Sequence, residues 1–129
     1  MEKIRRPHAD IAPAGPTYAR AVRAGDVLYI SGCTARGTPA EGGSALEQLK
    51  VTLERVVRIV QAEGGEATDI VKCTTFVTKI SDWYLVSEEQ IAVYDGYFHG
   101  EDPANSLVGI TALALPGLDI EIEAVAVLS

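Results

Sequence analysis

The spacing of apolar positions predicts a long helix in the first half of the chain. Between residues 44 and 65, leucines and valines recur every three or four residues, from Leu46 to Val60. This period is typical of a helix with one buried face. Ser44 and Glu47 form a capping-box pattern at its start, and the glycines at 64–65 end it. The segment "SALEQLKVTLERVVRIVQAEGG" is therefore predicted to be an amphipathic helix.

A second helix, less regular at its start, is predicted within residues 81–100. Either Ser81 or Ser87 is suited to cap it, and Gly100 is suited to end it. The side chains expected to face inward are Val86, Val93, Tyr94, Tyr97 and Phe98.

Alternating positions predict strands around these helices. Residues 17–32 read as a hairpin with its turn at 24–26, and residues 69–80 read as a third strand. Two further strands are predicted at 106–114 and 119–128. In the third strand Val71, Cys73, Thr75 and Val77 are expected on one face, and Ile70, Lys72, Thr74 and Phe76 on the other. In the last strand Ile120, Ile122, Ala124 and Ala126 face one way, and Glu121, Glu123, Val125 and Val127 the other.

The resulting order, β-β-α-β-α-β-β, predicts an α+β domain with two helices on one mainly antiparallel sheet. Residues 1–129 are expected to form one domain, with residues 1–12 as an extended arm. The helices cover only one face of the sheet, yet the other face carries Val125 and Val127 and is not polar. Because exposed apolar patches of this kind mark interfaces, the pattern predicts an oligomer that packs sheet against sheet.

Charge and composition exclude several classes of partner. The formal net charge is −7, which disfavours nucleic acid because its binding draws on cationic contacts. Cys33 and Cys73 are expected to be reduced thiols, and two cysteines with two distant histidines make no zinc cluster without carboxylate help. No apolar run resembles a signal peptide or reaches the roughly 18 residues of a membrane span. A cytoplasmic protein without a metal or a membrane partner is predicted.

Five segments, in order and at fitting spacing, resemble the Rid family of reactive intermediate deaminases, also called YjgF-like or L-PSP endoribonuclease-like proteins. They are "GPTYARAVRAGDVLYISG", "DIVKCTTFVTKISDWYLV", "YDGYF", the "LP" at 115–116 and "IEIEAVAV". The resemblance covers residues 12–128, nearly the whole chain.

The resemblance implies a chorismate-mutase-like subunit. Three copies would pack their sheets into a central barrel, with ligand clefts between subunits. This homotrimer agrees with the apolar second sheet face. The implied activity is hydrolysis of a reactive enamine or imine, such as 2-aminoacrylate, to a 2-oxo acid and ammonia, with no metal or organic cofactor.

One position departs from the family pattern. The archetype has a Pro-Ala-Arg motif whose arginine grips the substrate carboxylate, whereas this chain has Pro103, Ala104 and Asn105. An asparagine offers only a neutral hydrogen bond. Asn105 either binds substrate in this weaker way or merely caps a turn. Family members that lack the arginine include deaminases of larger substrates such as 2-aminomuconate and proteins without a settled activity.

Glu121 corresponds to the glutamate that positions water in the family. Burial in a cleft would raise its pKa and suit it to proton transfer. The alternative is a solvated glutamate on a strand face.

The resemblance places the remaining binding residues around Glu121. The hydroxyl of Tyr18 would line the cleft, although plain hairpin packing is the alternative. Ser31 and Gly32 would offer a hydroxyl and backbone groups, although Gly32 also suits a strand exit. Cys33 would belong to the wall, but not as a nucleophile because no base is apparent. Leu107 makes the wall apolar where the archetype often has a cysteine.

Three functions remain open at this point. The first is an enamine or imine deaminase with an atypical site. The second, motivated by the missing arginine, is a non-catalytic trimer that binds a small metabolite, such as a 2-oxo acid, or a regulatory partner. The third is an endoribonuclease, which the net charge of −7 and the lack of a basic acid–base set disfavour.

Overall fold

The computed structural model describes the whole chain, Met1–Ser129. Its strands and helices are β1 Lys3–Arg6, β2 Ala21–Ala24, β3 Val27–Cys33, α1 Ala45–Ala62, β4 Ile70–Val77, α2 Glu88–Phe98, β5 Ala104–Gly109 and β6 Ile120–Val127. The strands form one sheet in the order β1-β2-β3-β6-β4-β5. Only β4 and β5 pair in parallel. The predicted α+β fold, with two helices on a mainly antiparallel sheet, is confirmed.

The N-terminal arm was predicted without a strand, and this is wrong. Residues Lys3–Arg6 form β1, which pairs with β2 at the edge of the sheet. Glu63, at the end of α1, binds Arg6 and His8 across this edge, with an Nε–Oε1 distance of 3.2 Å to Arg6 and an Nε2–Oε2 distance of 2.6 Å to His8. The strand pairs with residues outside the arm, and His8 binds a glutamate 55 residues away, so the local sequence pattern did not reveal it.

The strand predicted at 106–114 is displaced. It runs instead over Ala104–Gly109, and residues 110–118 form a loop. Leu113 and Leu115 of that loop pack against a small cluster of Ala35, Ala40 and Leu118, away from the main core. Their burial in this second cluster explains why an apolar run does not continue as a strand.

The predicted face assignment of β4 is wrong at its first two residues. Ile70 is buried and Val71 is 46% exposed, because the pairing with β6 shifts between Ile70 and Lys72. Beyond this bulge Cys73, Thr75 and Val77 are buried, as predicted. A single inserted residue reverses which face a strand residue occupies.

The core lies between α1 and the central strands. Ile120, Ile122, Ala124 and Ala126 of β6 are buried, while Glu121 and Val125 are half-buried and Glu123 and Val127 are exposed. The largest fully buried side chains of the helix and its partner strands are Leu28, Leu49, Leu53, Val56, Ile59, Ile120 and Ile122. Burial of each contributes roughly 1.5–3 kcal/mol, so this layer dominates the stability of the domain.

The second helix begins later than its apolar residues suggest. Ser87, not Ser81, caps it: the Ser87 hydroxyl accepts from the Gln90 amide, and the Gln90 side chain accepts from the Ser87 amide. Phe98 is buried and Val93, Tyr94 and Tyr97 are half-buried, as predicted. Val86 was predicted to face inward, but it precedes the cap and is 51% exposed.

The sheet face opposite the helices is left uncovered. Tyr29, Val71 and Val127 are each about half exposed on the chain, and Tyr29 pairs with the half-buried Val125. This apolar face supports the predicted sheet-to-sheet association, which stays a prediction. Neither helix has the length and apolar composition that a transmembrane span requires.

Gln48 connects the two long loops to α1. Its fully buried side chain donates to the carbonyls of Gly43 and Gly117 at 3.1 and 3.0 Å, and it accepts from the Asp119 amide at 2.8 Å. A buried amide that meets its hydrogen-bonding requirements in this way fixes the loops that approach it.

We expect Gln48→Leu to lower the free energy of unfolding by about 3 kcal/mol, because it leaves several buried backbone groups without partners. Urea denaturation of the variant measures this change. Lys50→Ala, on the exposed side of the same helix, is the control and should stay within about 0.5 kcal/mol of the wild type. An equally small change for Gln48→Leu would contradict the assigned role.

Candidate functional site

A bulge in β3 forms the centre of the candidate site. Ile30 pairs with Ala124 and Cys33 pairs with Ile122, so Ser31 and Gly32 together lie opposite one residue of β6. Such a bulge bends the strand and turns backbone groups out of the ladder. The Ser31–Gly32 bulge thus brings two of the predicted binding residues to one point on the sheet.

Arg20 holds this bulge and was not found by sequence reasoning. Its Nη2 donates to the carbonyls of Ser31 and Gly32, both at 2.7 Å, and the side chain is only 3% exposed. The Ser31 hydroxyl donates to the Ala19 carbonyl at 2.7 Å. The guanidinium lies 5.7 Å from the centre of the Tyr18 ring. The available signal was an arginine between the alanines of a strand-like segment.

The Glu121 side chain lies directly over Gly32. A Cβ placed on Gly32 would be 2.6 Å from the Glu121 carboxyl carbon, so any other residue would displace the carboxylate. Burial raises the pKa of Glu121, while the positive charge of Arg20 lowers it and Glu123 raises it. The ion pairs of the chain all meet at Glu63, and Glu121 belongs to none of them.

Cys33 lies behind this surface and not on it. Its thiol is 1% exposed in the main core and contacts the Ser31 carbonyl at 3.6 Å. Burial raises the pKa of Cys33. Gly32 and Glu121 are therefore in contact, Ser31 shares the bulge with Gly32, and Tyr18 lies beside Arg20, which binds the bulge.

Asn105 and Leu107 lie on the opposite face of the sheet. They pair with Cys73 and Thr75 of β4, and the Thr75 hydroxyl donates to Asn105 Oδ1 at 2.8 Å. Glu121 instead pairs with Phe76, one residue further along β4. Since neighbouring residues of a strand point to opposite faces, one chain does not bring Asn105 and Leu107 into contact with Glu121.

A cavity of about 290 Å³ lies beside Asn105 and Leu107, between α2 and the sheet. Its floor and walls are largely apolar and include Leu53, Ile122, Trp83 and Ile91. The lining contains two acidic residues, Asp95 and Asp102, and no lysine, arginine or histidine. Sequence reasoning had not placed Trp83 or Cys73 at this cavity.

Apart from Asp95 and Asp102, the polar groups of this cavity are neutral hydrogen-bonding groups. Burial raises the pKa of Tyr94 to about 12 and that of Cys73 to about 11, so both keep their protons near neutral pH. The indole Nε1 of Trp83 is buried without a partner. The carbonyl oxygen of Asn105 is bound by Thr75, which leaves its amide N–H groups for an acceptor.

The chain belongs to the family Endoribonuclease L-PSP, whose sequence profile matches residues 8–128. A goat protein named 2-iminobutanoate/2-iminopropanoate deaminase is 36% identical over 122 residues, covering 90% of this chain and 84% of its own length. Protein DfrA of Myxococcus xanthus is 34% identical over 128 residues, covering 93% and 92%.

Solved structures of the same family share the fold. RidA from the Antarctic bacterium Psychrobacter sp. superposes with a TM-score of 0.76 at 29% identity, over 92% of this chain and 95% of that one. Yeast Mmf1 gives a TM-score of 0.77 at 29% identity, over 92% of each chain. The predicted membership of the Rid, or YjgF-like, family is confirmed.

We expect Gly32→Ala to fold but to displace Glu121. The new methyl group meets only the flexible glutamate side chain, so the free energy of unfolding should change by less than about 1 kcal/mol. The carboxyl ¹³C signal of Glu121 should nevertheless shift, because the carboxylate leaves its place over the bulge.

Gly96→Ala is the matched control for this substitution. Gly96 lies within α2 with no other atom within 4 Å of an added Cβ. The variant should gain about 0.5–1 kcal/mol of stability from helix propensity and leave the Glu121 signal unchanged. An unchanged Glu121 signal in Gly32→Ala would contradict the proposed close packing.

Proposed function

We propose that this protein is an enamine or imine deaminase whose site is completed by two chains. The observation that carries the proposal is the Glu121 carboxylate, which is half-buried, unpaired and held over the Ser31–Gly32 bulge. Burial raises the pKa of Glu121 above its ordinary value, which makes the carboxylate a better proton acceptor. The named activity of the goat relative supports the same reaction class.

The chemistry requires one water and a group that moves protons. Glu121 accepts a proton from water as the water oxygen bonds to the imine carbon, and the electrons of the C=N double bond move to nitrogen. Glu121 returns this proton to the nitrogen and then transfers the proton of the new hydroxyl group to it as well, so the C–N bond breaks and ammonia leaves as the carbonyl forms. Tyr18, which lies beside Arg20, and Ser31 of the bulge orient the substrate.

A second copy of the chain brings the two halves of the site together. The Glu121 half lies on the uncovered apolar face, and the Asn105 half lies on β5, an edge strand in which all six residues are exposed. An interface between these surfaces covers both the apolar face and the free strand edge. We propose a homotrimer with three such clefts, in agreement with the predicted assembly.

The cavity indicates what kind of substrate fits. Asn105 grips a carboxylate only through neutral hydrogen bonds, and Asp95 and Asp102 repel a second negative charge. A dicarboxylic substrate of the aminomuconate type is therefore disfavoured. The apolar walls favour an imine with a large uncharged side chain, which gains binding energy from burial.

We expect Glu121→Gln to lower kcat by about 100-fold or more, because glutamine holds water but accepts no proton. The substrates are 2-aminoacrylate and the imine of a branched-chain amino acid, formed in the assay by an amino acid oxidase, with ammonia release as the readout. Glu54→Gln, on the exposed side of α1, is the control. An unchanged rate in Glu121→Gln would remove Glu121 from the mechanism.

Subunit mixing tests the shared site. Leu107→Trp fills the cavity of one half, and Glu121→Gln disables the other, so each variant alone should be inactive. Random co-assembly should restore activity to about one quarter of the clefts, since a trimer then contains some pairs of intact halves. An active monomer in analytical ultracentrifugation, or mixed trimers without recovery, would contradict the proposal.

A non-catalytic binding role is the second candidate, favoured by Asn105 in place of a cationic carboxylate ligand. It predicts that 2-oxo acids or aromatic metabolites raise the melting temperature while no imine is hydrolysed. Ribonuclease activity, which the family description suggests, is disfavoured by the net charge of −7 and by the acidic residues of the cavity.

A further inference from the structure

Arg20 is an unusual group in this fold because its charge is buried without an ionic partner. The side chain is 3% exposed, and the ion pairs of the chain all involve Glu63 instead. Its Nε has no hydrogen-bond partner. A buried charge destabilises a fold unless it is hydrogen-bonded or interacts with an opposite charge.

The hydrogen bonds of Arg20 show its first role. Two residues of β3 face one residue of β6 at the bulge, so the Ser31 and Gly32 carbonyls need partners outside regular pairing. One guanidinium nitrogen binds both carbonyls at 2.7 Å. Arg20 therefore fixes the shape of the Ser31–Gly32 bulge, and a lysine would hold it less rigidly because its ammonium group lacks the fixed planar geometry of the guanidinium.

The bulge in turn supports Glu121. The carboxylate lies against Gly32, the residue whose carbonyl Arg20 binds. The other charged group that acts on it is Glu123 on its own strand. Cys33 on β3 is affected by Arg20, Arg55 and Glu121. Among these groups, Arg20 is the cation that acts on Glu121.

We propose that Arg20 is the positioning residue of the deaminase site: it fixes the bulge under Glu121 and places a positive charge behind that carboxylate. The proposal rests on the function proposed above for Glu121. It assigns the buried cation of this chain to the proton-transferring group and not to the substrate carboxylate, since the guanidinium is enclosed within the subunit.

The sign of the electrostatic effect follows from the neighbours. Burial raises the pKa of Glu121, and the positive charge of Arg20 opposes that rise. Removal of the charge should therefore raise the pKa of Glu121 further. Because the ionised form accepts the proton from water, the acidic limb of the pH–rate profile should move to higher pH.

Two substitutions separate the effect of the positive charge from that of the planar guanidinium group. Arg20→Gln removes the positive charge, whereas Arg20→Lys keeps the charge but removes the planar guanidinium group. We expect the Glu121 titration midpoint, followed by carboxyl ¹³C NMR and assigned with Glu121→Gln, to rise by at least about 0.5 pH unit in Arg20→Gln. It should stay near the wild-type midpoint in Arg20→Lys.

The kinetic measurements distinguish a changed Glu121 pKa from a general loss of structure. At neutral pH, kcat should fall about tenfold in Arg20→Gln with a smaller change in KM, and part of the loss should return at higher pH. Arg20→Lys should lower kcat without moving the acidic limb. Arg23→Gln, whose side chain binds Gly25 and Glu63 at the other end of the hairpin, is the matched control and should change neither the midpoint nor the limb.

The outcomes distinguish this inference from the proposed function. If the wild type hydrolyses no imine, the proposed function fails, whereas the Glu121 titration still tests the charge of Arg20. If folded Arg20→Gln, checked by its melting curve, titrates Glu121 at the wild-type midpoint, the inference on Arg20 is wrong whatever the activity. Should Arg20→Gln fail to fold, a shifted acidic limb in Arg20→Lys overturns the inference, and an unshifted limb with lowered kcat supports it.

Discussion

The pairing register of β6 is the constraint on which the rest of the structure depends. This strand lies between β3 and β4, and its even-numbered residues fill the core beneath α1. Strict alternation then fixes Glu121 on the opposite face, because a strand that commits one row to the core commits the other row to the far side. A slip of one residue would bury both glutamates and expose the isoleucines. Hydrophobic burial along one row therefore determines where the acidic chemistry lies.

Two irregularities adjust this frame at the point of function. The bulge between Ile70 and Lys72 brings Cys73 and Thr75 to the helix side, where they line the cavity. The bulge at Ser31 and Gly32 leaves two carbonyls outside regular strand pairing, and Arg20 binds both of them. Bulges often occur at sites where a strand must redirect a side chain. In this fold each bulge serves one half of the candidate site.

The two halves of the candidate site also differ in the charges they contain. The half around Glu121 has a buried cation that acts on a half-buried carboxylate. The half around Asn105 has neutral donors, apolar walls and two acidic residues, with no cation. A substrate carboxylate thus meets weaker attraction than an arginine would give, and the apolar cavity supplies more of the binding energy. With asparagine at position 105, this half offers a ligand neutral hydrogen bonds and apolar surface.

The sequence by itself determined the elements and faces that depend on local periodicity. The α1 stripe, the alternation of β6 and the capping of α2 by one of two serines follow from spacing alone. The family resemblance proposed Glu121, Tyr18, Ser31 and Gly32 as site residues, and this stays a prediction. Tertiary structure decided what depends on distant contacts: β1 at the sheet edge, the bulge that reverses Ile70 and Val71, and the core position of Cys33. It also revealed Arg20, whose carbonyl partners lie 11 and 12 residues away across a hairpin. Tertiary structure also decided that Asn105 and Glu121 lie on opposite faces of the sheet. The face on which a β5 residue lies depends on its register with β4, and sequence periodicity carries no information about that partner.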